Sequence, residues 1–257
     1  MIKSIVAVVA LAATLTTPGT SRTLLLPPAA DNSPVISLGT AVDPATGKQV
    51  EGWAIIHRQD NLAKPGGGKP GANTCYGYLA RGARWKAVEP WVANLTNSRN
   101  LDQTTLFNLL GGGVNKWEGA AGWDVLGAGT TTADALAADT VAPDSQNEVY
   151  FADISDANAI AITIVWGIFS GPPGGRELVE WDQVYDDTTF DWSAEAVGVA
   201  DKMDFDNIAT HELGHSVGMA DLYNTCTDET MYGYSAAGEI KKRDLNIGDI
   251  NGINSLY

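Results

Sequence analysis

The chain has 257 residues, 44% hydrophobic and 18% charged, a composition that excludes disorder over most of its length and suits one folded domain behind a short leader. Its 16 basic residues against 31 acidic ones leave a net charge of -15. That balance excludes a nucleic-acid or anionic-membrane partner of the kind that lysine and arginine hold.

In chain order, Lys3 precedes the apolar run Ile5 to Leu15, and small, turn-forming residues follow from Thr16 to Ser21. Residues 1–21 therefore read as an export signal, too short for a comfortable bilayer span, which predicts a secreted chain with no membrane attachment once the signal is removed. Residues 22–72 read as a short pro-like segment. It has a turn at Val42 to Lys48, a strand at Trp53 to Ile56, and a Pro/Gly-rich linker from Ala63 to Asn73. His57 lies in this segment and is expected at its surface, away from the main domain over residues 73–257.

Within the main domain, a strand is expected around Trp85 to Val92. A helix follows over Asp102 to Trp117, with Leu106, Leu109, Leu110 and Val114 on one face. Glu148 to Ile154, Ala159 to Phe169 and Glu177 to Tyr185 read as strands. The second is nearly all apolar, which fits either an interior strand or an edge on which an extended peptide adds. Asp204 has N-cap chemistry for a helix running to about Gly218, and a last helix is expected over Asp249 to Leu256. Strands first and helices at the periphery predict an α+β domain with a twisted mixed sheet.

The most informative stretch is His211-Glu212-Leu213-Gly214-His215, followed by Gly218 and Asp221. Histidines four apart share one helix face, so two imidazoles can reach one ion, and Glu212 sits where it can move a proton. Gly218 can end the helix in a left-handed conformation and return Asp221 as a third ligand. A solvent-facing Asp221 with a distant glutamate as ligand is the alternative. Cys75 and Cys226 are the only cysteines, and in an exported chain such a pair usually forms a disulfide.

His211, Glu212, His215, Gly218 and the residue at 221 follow the pattern HExxHxxGxxH, and Met231 in Thr230-Met231-Tyr232 follows as a Met-turn. The chain thus resembles the metzincin zinc peptidases, and within them the matrixins. The match is strong over the last third and limited to the order of elements over residues 75–200. The resemblance implies a zincin-like fold with a sheet of about five strands, an active-site helix and a C-terminal helix. It implies one catalytic Zn2+ held by His211, His215 and Asp221, with Glu212 as general base and Met231 as the apolar floor. Aspartate at 221, where most relatives have histidine, is similar to the snapalysin-type variant.

The inhibitory cysteine motif of matrixin pro-segments is absent, so Cys75 reads either as the partner of Cys226 or as a thiolate capping zinc. Asp182, Asp186, Asp187 and Asp191 cluster before the active helix and read as either a calcium-holding loop or a solvated one. Tyr232 and Tyr234 carry no assigned role. The expected function is a secreted, monomeric zinc metalloendopeptidase acting on proteins or peptides, and the rival is an inactive zincin-like adhesion or binding module.

Overall fold

The computed structural model describes residues 23–27, 33–59, 74–223 and 225–257. The expected export signal and the expected linker from Ala63 to Asn73 lie outside the described residues. Among the described residues, eleven strands run in chain order: β1 (Thr23–Leu24), β2 (Val35–Val42), β3 (Gln49–Gln59), β4 (Trp91–Asn94), β5 (Gly129–Thr131), β6 (Asn147–Ile154), β7 (Ala159–Ile168), β8 (Glu177–Asp186), β9 (Trp192–Ser193), β10 (Met203–Asp204) and β11 (Tyr234–Ser235). Three α-helices accompany them among the same residues: α1 (Gln103–Ala121), α2 (Phe205–Ser216) and α3 (Ile247–Leu256).

The fold is α+β and zincin-like, with a mixed sheet ordered β11-β3-β7-β8-β6-β4-β5, where β1 adds to β6 and β2 to β3. Strands β4, β5, β6 and β8 are mutually parallel, and β7 is antiparallel to β8. The sheet is nine-stranded rather than the expected five. The excess comes largely from the segment before the linker, whose β2 and β3 extend the same sheet. Of the two readings of β7 the interior one holds, since the strand lies between β3 and β8. Its unbroken apolar sequence follows from burial on both faces.

One face of the sheet packs against α1 and α2, with Leu106, Leu110, Trp117, Trp181, Phe205 and Leu213 at the centre. The other face is sealed by Leu24, Ile36, Leu136 and Trp166, together with Ala54 and Ile56 of β3. The side chain of Asp102 caps α1 by accepting from Thr105 N at 2.8 Å. Gly113 lets that helix approach α2, since a Cβ there would stand 2.6 Å from Leu213. The strand expected from Trp85 begins only at Trp91, because Pro90 has no N–H to give to a ladder.

Candidate metal centre

α2 begins as its sequence suggests. The Asp204 side chain accepts from Asn207 N at 2.9 Å, and the helix presents His211, Glu212 and His215, all fully buried. Gly218 has φ 102°, a conformation few side chains tolerate, and a Cβ there would meet the Ala83 carbonyl oxygen at 3.0 Å. The chain therefore turns beneath the helix and brings Asp221 back. Its Oδ1 lies 3.1 Å from His211 Nε2 and 3.3 Å from His215 Nε2.

The second atoms of these three side chains fix their orientation. His211 Nδ1 donates to Thr230 O at 2.7 Å and His215 Nδ1 to Met219 O at 2.9 Å. Tyr223 Oη donates to Asp221 Oδ2 at 2.8 Å. With both Nδ1 atoms protonated, each Nε2 carries a lone pair, and both lone pairs face a carboxylate oxygen. His211 Nε2, His215 Nε2 and Asp221 Oδ1 have no hydrogen-bond partner although they are buried. Such a convergence of lone pairs is unfavourable without a cation. Ligands about 2.0–2.1 Å from a tetrahedral zinc sit about 3.3 Å apart, so the spacing fits that ion. Burial holds His211 down to about 4, which keeps it neutral and available as a ligand.

Met231 is fully buried beneath this group, with its sulfur against Gly214. A Cβ on Gly214 would lie 2.2 Å from Met231 Sδ, so the glycine inside the helix is what lets the methionine approach. The turn is anchored by Asp249 at the start of α3, whose carboxylate accepts from Thr230 N at 2.7 Å and Met231 N at 3.2 Å. Cys75 and Cys226 form a disulfide, with Cα atoms 5.5 Å apart, tying the start of the main domain to the loop between Asp221 and Met231.

With that arrangement in place, the comparison with known families is direct. The matrixin family model matches residues 128–257. The chain belongs to the matrixins. No curated protein matches it. Family membership makes this matrixin chain a metallopeptidase of the hydrolase class, and the match begins just before β5 and runs through α3.

The expectation for His57 does not hold. It is buried at 1% exposure in the middle of β3, and its Nδ1 donates to Glu212 Oε1 at 2.9 Å. Its ring centroid lies 3.9 Å from that of His211. Pairing of β3 with β7 carries it there, opposite Ala161. Glu212 Oε2 accepts from Thr163 Oγ1 of β7 at 2.5 Å. Burial pushes the Glu212 carboxyl up to about 7, and burial also pulls the Lys242 ammonium beyond His57 down to about 8.

The four aspartates grouped in sequence do not gather at one point. Asp182 accepts from Glu148 N and Asp139 N. Asp186 caps the turn at Thr188 to Phe190, Asp187 accepts from Ser98 N, and Asp191 pairs with Arg99. Asp182 and Asp186 share a face of β8 but stand four residues apart along it, and Asp187 and Asp191 follow at and beyond the turn that ends the strand. A different acidic group, Asp139, Asp144 and Glu180, brings one oxygen from each within 4.8 Å.

Thr163, Tyr223, Lys242 and Asp249 carry no role in the sequence reading, and His57 is placed there at the surface. Only Asp249 had a legible signal there. It stands three residues after Asn246, a capping-box spacing that the structure uses.

Proposed function

We propose that the chain is a secreted zinc metalloendopeptidase that hydrolyses internal peptide bonds of proteins or peptides as a monomer, with Glu212 as general base. The observation that carries this reading is the convergence of three buried, unpartnered ligand atoms from His211, His215 and Asp221 beside a carboxylate of raised pKa. No helix among the described residues is long and apolar enough to cross a membrane.

His211 and His215 would hold the ion through Nε2 and Asp221 through Oδ1. Zinc bound there would supply Lewis-acid polarisation of a carbonyl and acidification of water. The Glu212 carboxylate takes the proton of the attacking water and returns it to the departing amine, a task suited to a group titrating near neutrality. Thr163 fixes one carboxylate oxygen and so aims the other. The negative charge of Asp221 makes the ion a weaker acidifier of water than three neutral imidazoles would.

The test is casein hydrolysis by the purified chain, before and after proteolysis between residues 60 and 73, set beside Glu212→Ala. Zinc is measured per chain in every sample. The expected result is one zinc in each and a loss of about 10²–10⁴-fold in the variant. Zinc without hydrolysis in any form would replace the peptidase by the binding-module reading.

A further inference from the structure

The side of the sheet that faces α2 carries Ala161, Thr163 and Val165 on β7, paired with Tyr185, Gln183 and Trp181 on β8. Ala161, Val165, Trp181 and Tyr185 belong to the first core. Thr163 and Gln183 stand in the middle of them, directly opposite one another and fully buried. Two polar side chains on an apolar sheet face are unfavourable unless each finds a hydrogen-bond partner. Each finds one on α2.

Thr163 Oγ1 donates to Glu212 Oε2, and Gln183 Nε2 donates to Ser216 Oγ at 2.9 Å. Tyr185 Oη, two residues along β8 on the same face, donates to Gln183 Oε1 at 2.7 Å, which turns the amide NH2 toward the helix. Ser216 Oγ in turn donates to Glu212 O at 3.4 Å. Cross-strand neighbours stand about 4.5–5.5 Å apart and residues four apart on a helix about 5–6 Å, so two adjacent sheet side chains reach two consecutive turns.

Apolar packing is not directional, whereas two hydrogen bonds one turn apart fix how far α2 is rotated over the sheet. A helix with its side chains has a radius of about 5–6 Å, so a rotation of about 10° carries the Glu212 carboxylate through about 1 Å. A displacement of that size at a reacting group costs about 10²-fold in rate.

We infer that Gln183, oriented by Tyr185, is a positioning residue for the general base: its bond to Ser216 sets the rotation of α2 at which Thr163 and Glu212 Oε2 meet. The inference rests on the peptidase reading, because a binding module needs no aimed carboxylate. The two histidines have anchors of their own at Thr230 O and Met219 O, so loss of the bond is felt at the base and not at the ion. The helix itself stays in place without Gln183, held at Thr210 O by Trp117 Nε1 and at Ser216 O by Trp85 Nε1, each at 2.8 Å.

The experiment compares the parent chain with Gln183→Met, which keeps the side-chain length and removes both polar atoms, with Ser216→Ala, which removes one oxygen, and with the double variant. Each is assayed with and without proteolysis between residues 60 and 73, on a fluorogenic peptide copied from a casein site that the parent cuts. Zinc affinity is read by competition with a chromogenic chelator, and folding by denaturant unfolding. Either single substitution is expected to lower kcat by about 10–100-fold, with KM and zinc affinity unchanged. The double variant should lose no more than the worse single, because both break one link. An unchanged kcat in Gln183→Met makes the glutamine a satisfied core residue and overturns the inference. If that variant does not fold, Ser216→Ala removes the same bond and decides alone. A fall in zinc affinity that matches the fall in kcat overturns it too, and losses that add in the double variant break the link through Ser216. A parent chain that binds zinc and hydrolyses nothing in either form removes the peptidase reading and the inference together. A parent that hydrolyses, beside variants of unchanged kcat, sinks the inference alone.

Discussion

Two buried polar clusters lie on this one sheet and helix framework, and both leave atoms without partners. At the metal centre they are His211 Nε2, His215 Nε2 and Asp221 Oδ1; at the start of β8 they are Asp139 Oδ2 and Glu180 Oε1. In the first cluster each ligand's other polar atom is tied, to Thr230 O, Met219 O and Tyr223 Oη, so the free lone pairs are aimed before any ion arrives. In the second the groups are all carboxyls, and the strain is met by protonation. Burial, then the charge of Asp182, pushes Glu180 up to about 10. An orphaned buried atom thus points to a metal when its partner atom is fixed and its neighbours differ in kind. A set of like carboxyls can satisfy itself with a proton.

Substitutions that separate the two clusters sharpen this contrast. The largest effect is expected for His215→Ala, which removes a ligand. Zinc per chain measured after dialysis should fall towards zero, and hydrolysis of casein by the cut chain should fall with it. Next comes Tyr223→Phe, which frees Asp221 Oδ2 while leaving all three ligands. A loss of about 10–100-fold in zinc affinity is expected by competition with a chromogenic chelator. Unchanged affinity would mean that the fixed partner atom does not matter.

Gly214→Ala tests the packing under the centre. The added methyl would lie 2.2 Å from Met231 Sδ and 2.7 Å from Trp117, and a cost of about 1–3 kcal/mol should appear in denaturant unfolding. The smallest effect is expected at the second cluster. Because Glu180 holds its proton in the folded chain up to about 10, against an ordinary 4.5, the folded state binds more protons between those values, and stability falls as pH rises through that window. Glu180→Gln should flatten that slope and stabilise the chain at pH 8 by about 1 kcal/mol, measured as Tm against pH. A slope left unchanged would remove Glu180 as its source.

The contrast also explains what could be read from sequence. His211, Glu212, His215, Gly218 and Asp221 were legible because one helix and one turn bring them together within eleven residues, and local geometry is written locally. The strands β6, β7 and β8 were legible within a residue or two. His57 was misread because its neighbours in space, Glu212 and Lys242, are far away in sequence. The Pro/Gly stretch after it also read as a boundary. Only Trp53 to Ile56 of β3 was recognised as strand, because Gly52 before it reads as a break and His57 and Arg58 after it are polar residues that the fold buries. The nearby acidic residues were read as one cluster because sequence proximity does not reveal that an extended strand separates Asp182 from Asp186 along its length and that each carboxylate has its own backbone or side-chain partner.

The pairing of β3 also sets a timetable. His57 lies opposite Ala161, and Arg58 pairs with Tyr234, near the end of the chain. At about 5–20 residues per second, the first of these partners emerges on the order of ten seconds after the strand itself. Until then β3 has β2 as its partner on one side, and its other edge, which later meets β7, stands exposed with unpaired backbone groups. The β3–β7 seam therefore closes late although one of its strands is made early, a long-range order that predicts slow folding and a need for holding factors during synthesis.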